Sequence, residues 1–188
     1  MIDQQTALLV IDIQQGMDDP SLGERNNPDA ERNAVRLLDA WRHGGAPIVH
    51  VQHLSVRPDS VFRPGQPGAE LKPEVRPAPG EPHFQKRANC AFIGTSLEAH
   101  LRERDIRRLV IVGMMTDHCV SATARVAADL GFAVTVVSDA TATFERTGPD
   151  GRHYDADEIH RVELASLHRE FATVRSADDV LAQVAVRP

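Results

Sequence analysis

The sequence predicts an α/β protein in which a parallel sheet is covered by helices on both faces. Three observations point there. Short apolar runs of strand length alternate with helical apolar patterns along the chain, as in successive β-α-β units. A length of 188 residues, with 41% hydrophobic and 26% charged, suits one globular domain spanning 1–188. No internal repeat or low-complexity tract points to another architecture.

The first strand is Ala7–Ile11, ending at Asp12. Asn27-Pro28 opens a helix, with Asn as N-cap and Pro at the first helical position. Ala34, Leu37, Leu38 and Trp41 share one face of it, and Gly44-Gly45 stops it. Pro47–Val51 is the second strand, followed by a proline-rich connection from Ser55 to Pro82. So long a connection is usually functional. A third strand at His83–Gln85 ends at Lys86, and Thr95 to Glu98 forms a capping box opening a helix with Leu97 and Leu101. Leu109–Val112 is the fourth strand, and the helix after Cys119 turns Val120, Ala124 and Ala127 inward. Ala133–Val137 is the fifth strand, ending at Ser138-Asp139. A helix near Asp157–His168, a sixth strand near Phe171–Val174 and a helix from about Ala177 complete the alternation.

Composition excludes several classes. A net charge of −6 argues against nucleic-acid or anionic-membrane partners. The N-terminal residues show no signal peptide, and no run approaches a membrane span. Cys90 and Cys119 make no disulfide framework, so a cytoplasmic protein is expected. The nine histidines fall in no C-x-x-C or H-E-x-x-H setting.

In open parallel sheets the ligand crevice lies outside the carboxyl ends of the strands. Asp12, Lys86 and Cys119 all fall at that edge. A cysteine at a helix N-terminus beside a lysine is expected to have a lowered thiol pKa. Asp12 can take the thiol proton and return it to a leaving group. Backbone N–H groups at Met115 and Cys119 can receive a developing oxyanion. The parts fit nucleophilic acyl transfer. Each residue also has a plainer reading: Cys119 as packing, Asp12 as a turn cap, Lys86 as a surface charge.

Four segments, "ALLVIDIQQGM", "FQKRANCAFIGTSLEAHL", "VIVGMMTDHCVSATARVAADLGF" and "VTVVSDATATF", resemble the isochorismatase-like cysteine hydrolases. That superfamily includes nicotinamidases and N-carbamoylsarcosine amidohydrolases. The resemblance implies a three-layer, Rossmann-like fold with six parallel strands and Asp12, Lys86 and Cys119 as catalytic triad. It implies a cis peptide at Met114–Met115 that aims the Met115 N–H, with that of Cys119, into an oxyanion hole; two core methionines are the plainer reading. The implied reaction is cleavage of a small-molecule amide through a thioester, without a cofactor.

Substrate pocket positions are expected at His53, Phe62 and Phe92. In "VHVQHLSV" His53 and Ser55 stand where nicotinamidases carry a metal-binding Asp and His, so no metal is expected. His50 and His53 are three apart on an extended segment and face opposite sides. Other readings are vinyl ether hydrolysis with Asp12 as general acid, a peroxidatic Cys119 resolved by Cys90, and a non-catalytic binding module. Proteins of this superfamily are commonly homo-oligomers, and a homodimer or homotetramer is expected. Val61, Phe62 and Leu71 in the long connection would then be covered by the partner, or the connection folds back as a lid over its own pocket.

Overall fold

The computed structural model describes residues 3–185. The chain runs β1 (Thr6–Ile11), α1 (Ala30–His43), β2 (Ile48–His53), β3 (His83–Lys86), α2 (Leu97–Glu103), β4 (Arg108–Met114) and α3 (Ser121–Asp129). It continues through β5 (Ala133–Ala142), β6 (Arg146–Thr147), β7 (His153–Tyr154), α4 (Ala156–Leu167), β8 (Thr173–Arg175) and α5 (Ala177–Ala185). Six strands form one parallel sheet in the order β3-β2-β1-β4-β5-β8. The short β6–β7 ribbon is antiparallel, and the sequence reading did not include it.

Successive residues of β1 point to opposite faces, and both faces are apolar. Ala7, Leu9 and Ile11 pack with Leu97 and Leu101 of α2, Ala124 and Ala127 of α3, and Leu167 of α4. Leu8 and Val10 pack with Ala34, Leu37, Leu38 and Trp41 of α1 and with Ala177 and Val180 of α5. Both layers bury their helix stripes, each large side chain contributing about 1.5–3 kcal/mol. Trp41 is fully buried and its indole Nε1 donates to Thr6 O at 3.1 Å.

Sheet order reverses at β1: the chain moves outward through β2 and β3, then returns to place β4 on the other side of β1. The carboxyl ends of β1 and β4 therefore flank the switch point, where open sheets bind ligands. Gly113 allows the close approach there. Its φ is +126°, and a Cβ would stand 1.9 Å from Ile11 O. The pairing of β4 with β5 shifts register between Ile111 and Gly113, which lets β5 run past Asp139 to Ala142.

Several local readings need correction. Asn27 does not cap α1; its φ is +45°, and its side-chain amide donates to Ser138 O at 2.8 Å and Thr141 O at 2.7 Å. The demand of the β5 end for donors wins over the local capping pattern. Thr95 and Glu98 form no capping box. The Thr95 hydroxyl accepts from Leu97 N at 3.3 Å and donates to Ala91 O, while Glu98 pairs with Arg102 along the helix.

The long connection folds onto its own chain. The side-chain amides of Gln14 and Gln52 both donate to Ala69 O at 2.7 Å, pinning it from β1 and β2. Lys72 Nζ pairs with Asp18 at 2.6 Å and Glu31 at 2.7 Å. Phe62 and Leu71 are buried, and Val61 packs beside Phe62, Met17 and Met114. These apolar groups are covered within one chain and need no partner subunit to bury them. No helix among the described residues is long and apolar enough to cross a membrane.

Candidate active site

Three side chains from three strand ends meet at the switch point. Asp12 directly follows β1, with φ +52°, and its N–H donates to Val51 O at 3.0 Å. That left-handed turn, which aspartate tolerates better than most residues, ends the strand and leaves the carboxylate at the sheet edge. Lys86 is the last residue of β3, in register with His53. Cys119 lies in a wide single turn, Thr116–Val120, whose Val120 N–H reaches back to Met115 O at 3.1 Å. The cysteine thus sits one turn before α3 rather than at its first residue.

The Lys86 ammonium is fully buried and has three acceptors: Asp12 Oδ2 at 2.6 Å, Cys119 Sγ at 3.1 Å and Ala88 O at 3.2 Å. An ammonium has three protons to donate, so the buried charge is fully engaged. Burial alone would discharge Lys86, but Asp12 and the Cys119 sulfur outweigh it and hold its pKa above the ordinary value.

Cys119 corrects the sequence expectation. Its thiol pKa is pushed up, not down: burial is the main cause, Asp12 adds to it, and Lys86 opposes both. A local reading registers the helix end and the lysine, but not the burial or the carboxylate delivered by β1. Burial and Asp12 thus favour the protonated thiol, and Lys86 favours the thiolate.

The thiol opens into a cleft of about 500 Å³. Its walls include Asp12, His53, Met115 and Cys119 from the strand ends, with Met17 and Leu22 from the segment after β1. Arg57, Asp59 and Phe62 come from the long connection. Of the expected pocket positions, Phe62 and His53 line this cleft. Phe92 does not: it is buried in the sheet-face core, stacked on Phe132 with ring centres 6.0 Å apart. The Met114–Met115 peptide is cis, and Met115 faces the cleft.

His53 Nδ1 lies 3.5 Å from Lys86 Nζ, and burial and that charge lower the imidazole pKa, leaving the ring neutral. His50 faces away, with Nε2 2.7 Å from Glu81. No group of three or more His, Cys, Asp or Glu among the described residues is placed to hold a metal ion. Cys90 and Cys119 are both buried and free of a disulfide.

Sequence reasoning missed Asn89, whose Oδ1 is 3.9 Å from Cys119 Sγ, and His118 on the cleft wall. It also missed the brace behind them, in which Asp117 is held by Arg146 and Thr143. His118 and Asp117 were visible within the TDHC stretch. Arg146 could not be found that way, since the ribbon that carries it there has no strong sequence pattern.

A thiol, a buried carboxylate and a buried ammonium gathered at the floor of a cleft can perform proton transfer and nucleophilic attack. Comparisons with known proteins agree with the fold. Residues 6–179 match the model of the isochorismatase domain. The chain is 41% identical over 180 residues to the isochorismatase family protein YrdC of Bacillus subtilis, covering 96% of each chain. A crystal structure of an isochorismatase-family protein from Chromobacterium violaceum superposes with TM-score 0.93 at 48% identity, covering 97% of this chain and 94% of that one. N-carbamoylsarcosine amidase from Thermoplasma acidophilum superposes with TM-score 0.74 at 27% identity, covering 93% and 97% respectively.

Proposed function

Because the chain belongs to the isochorismatase family of hydrolases, we propose that it cleaves the C–N bond of a small amide through a thioester on Cys119. The observation that carries this reading is the Lys86 ammonium held at 2.6 Å from Asp12 and 3.1 Å from Cys119 Sγ. An amidase among the similar structures is in keeping with it.

In the proposed sequence Asp12 takes the thiol proton as Cys119 Sγ attacks the amide carbonyl carbon. The raised thiol pKa means that this transfer accompanies attack rather than preceding it. The tetrahedral oxyanion is received by the backbone N–H groups of Met115 and Cys119. Asp12 then gives its proton to the leaving nitrogen, the C–N bond breaks and a thioester remains. Water, deprotonated by Asp12, attacks the thioester; the carboxylic acid leaves and the thiol is restored. The Lys86 ammonium, in contact with both Asp12 and Cys119, offsets the negative charge that accumulates at the sulfur. Vinyl ether hydrolysis would need only the acid; the ammonium placed against the thiol favours the amide.

The test is an ammonia-release screen across small primary amides with wild type and Cys119→Ala. Turnover that falls about a thousandfold or more in the variant is expected. Near-native turnover by Cys119→Ala would exclude the thiol as nucleophile.

Assembly as a homodimer or homotetramer is proposed on the superfamily resemblance alone. Light scattering at micromolar concentration checks it: a single species of 20.6 kDa with full activity would contradict it.

A further inference from the structure

His118 precedes the nucleophile by one residue, lines the same cleft, and is 42% exposed. Arg146, on β6, lies behind it with Nη1 3.0 Å from His118 Nε2. A guanidinium has five N–H donors and no acceptor. His118 Nε2 must therefore supply the lone pair. That excludes both the imidazolium and the Nε2–H tautomer, and leaves a neutral ring with its proton on Nδ1.

The arginine is itself fixed. It forms an ion pair with Asp117, and its Nη2 donates to Thr143 Oγ1 at 3.3 Å and Met115 Sδ at 3.6 Å. The charged groups facing His118 are Arg146 and Asp117. Asp117 Oδ2 is 3.7 Å from His118 Nε2, beyond hydrogen-bond distance, and its charge is already engaged by Arg146. Burial lowers the imidazole pKa; Asp117 opposes this and Arg146 adds to it. Among the described residues Nδ1 is left without a protein partner.

We propose that His118 is a specificity residue: held as the Nδ1–H tautomer by Arg146, it donates to a second acceptor, a carbonyl or ring nitrogen, beside the scissile carbonyl. Arg146 is then a positioning residue acting through His118. This deepens the amidase reading and rests on it. A neutral, directional donor on the wall that carries the sulfur rewards a neutral acceptor at one place. Unlike Ser55 and Ser60, whose hydroxyls lie in the long connection and accept from its backbone, and Arg57, which stands 79% exposed beside Asp59, His118 comes from the turn that bears Cys119.

Two measurements on the full chain test this. Nitrogen-15 NMR of histidine-labelled protein should show His118 with Nδ1 protonated and Nε2 bare at neutral pH. In Arg146→Met it should become a tautomer mixture whose titration moves upward from that of the wild type. If that variant does not fold, the wild-type spectrum still decides: an Nε2–H tautomer or an imidazolium at neutral pH overturns the proposal. Cys119→Ala is then titrated with malonamide and with its apolar isostere isovaleramide. Malonamide should bind roughly three- to tenfold tighter and shift the His118 Nδ1 signal, and Cys119→Ala/His118→Phe should lose that preference. Equal binding, a preference that survives His118→Phe, or binding of neither at millimolar concentration overturns the assigned substrate class. Failure of the amidase reading looks different: no ammonia from any amide while the tautomer is intact.

Discussion

Asp12 and Lys86 have opposite effects on the same thiol, and this separates their roles experimentally. Asp12 raises the Cys119 pKa and Lys86 lowers it. Lys86→Ala should shift the iodoacetamide rate–pH profile of Cys119 upward by about one unit or more, and an unmoved profile would contradict the contact. Asp12→Asn should do the reverse. Its thiol ionises at lower pH and alkylates faster at neutral pH, yet turnover falls by about a hundredfold to ten-thousandfold because asparagine cannot shuttle the proton. Slower alkylation in Asp12→Asn would show that the carboxylate does not hold the thiol protonated. Asp12, Lys86 and Cys119 stood out in the sequence because each falls at or just beyond a strand end in a marked stretch. The direction of the thiol shift did not, since it comes from burial and from a carboxylate more than a hundred residues away. Phe92 was misplaced for a related reason: which way a loop side chain turns is decided by what it packs on, here Phe132.

Between elements, the site depends on how closely β4 approaches β1. Gly113→Ala would drive a Cβ into Ile11 O, in a backbone region that L residues rarely adopt. The strands that bear Asp12 and Cys119 would have to move apart. We expect a loss of stability of about 3 kcal/mol or more, read by denaturant unfolding; wild-type stability would contradict the close approach. The alternation of strands and helices was readable from apolar spacing, whereas the β5 extension followed from the register shift at this glycine and left no local mark. The end of the long connection offers a second test. Glu81 accepts from Arg42, from Ala78 N–H and from the His50 ring. Burial alone would raise its pKa, but Arg42, Ala78 and His50 bring it down to about 2. A depressed carboxylate stabilises above its unfolded pKa, near 4.3, and loses that contribution as pH falls toward 2. Glu81→Gln should therefore cost about 2–3 kcal/mol at neutral pH, with the gap to wild type closing below about pH 4. A gap independent of pH would mean that the ion pairs contribute nothing.

Across the whole molecule, the fold brings Cys119 from the turn after β4, Asp12 from the end of β1 and Lys86 from β3 to one edge, and the long connection supplies part of the cleft wall beside them. Gln14 and Gln52 hold that connection at Ala69, and Asp18 and Glu31 hold it at Lys72. It supplies Phe62, Arg57 and Asp59 to the cleft wall, and no periodicity encodes the shape of that segment. The most direct test of the central claim is the covalent state of Cys119 during turnover. Wild-type enzyme is mixed with an amide it hydrolyses, quenched in acid within the steady state, digested, and the Cys119 peptide weighed. The account predicts a mass increase equal to the acyl group, confined to Cys119, reversed by hydroxylamine and absent from Cys119→Ala. Steady ammonia release with an unmodified Cys119 peptide, in Asp12→Asn with its proton carrier removed as well as in wild type, would contradict it.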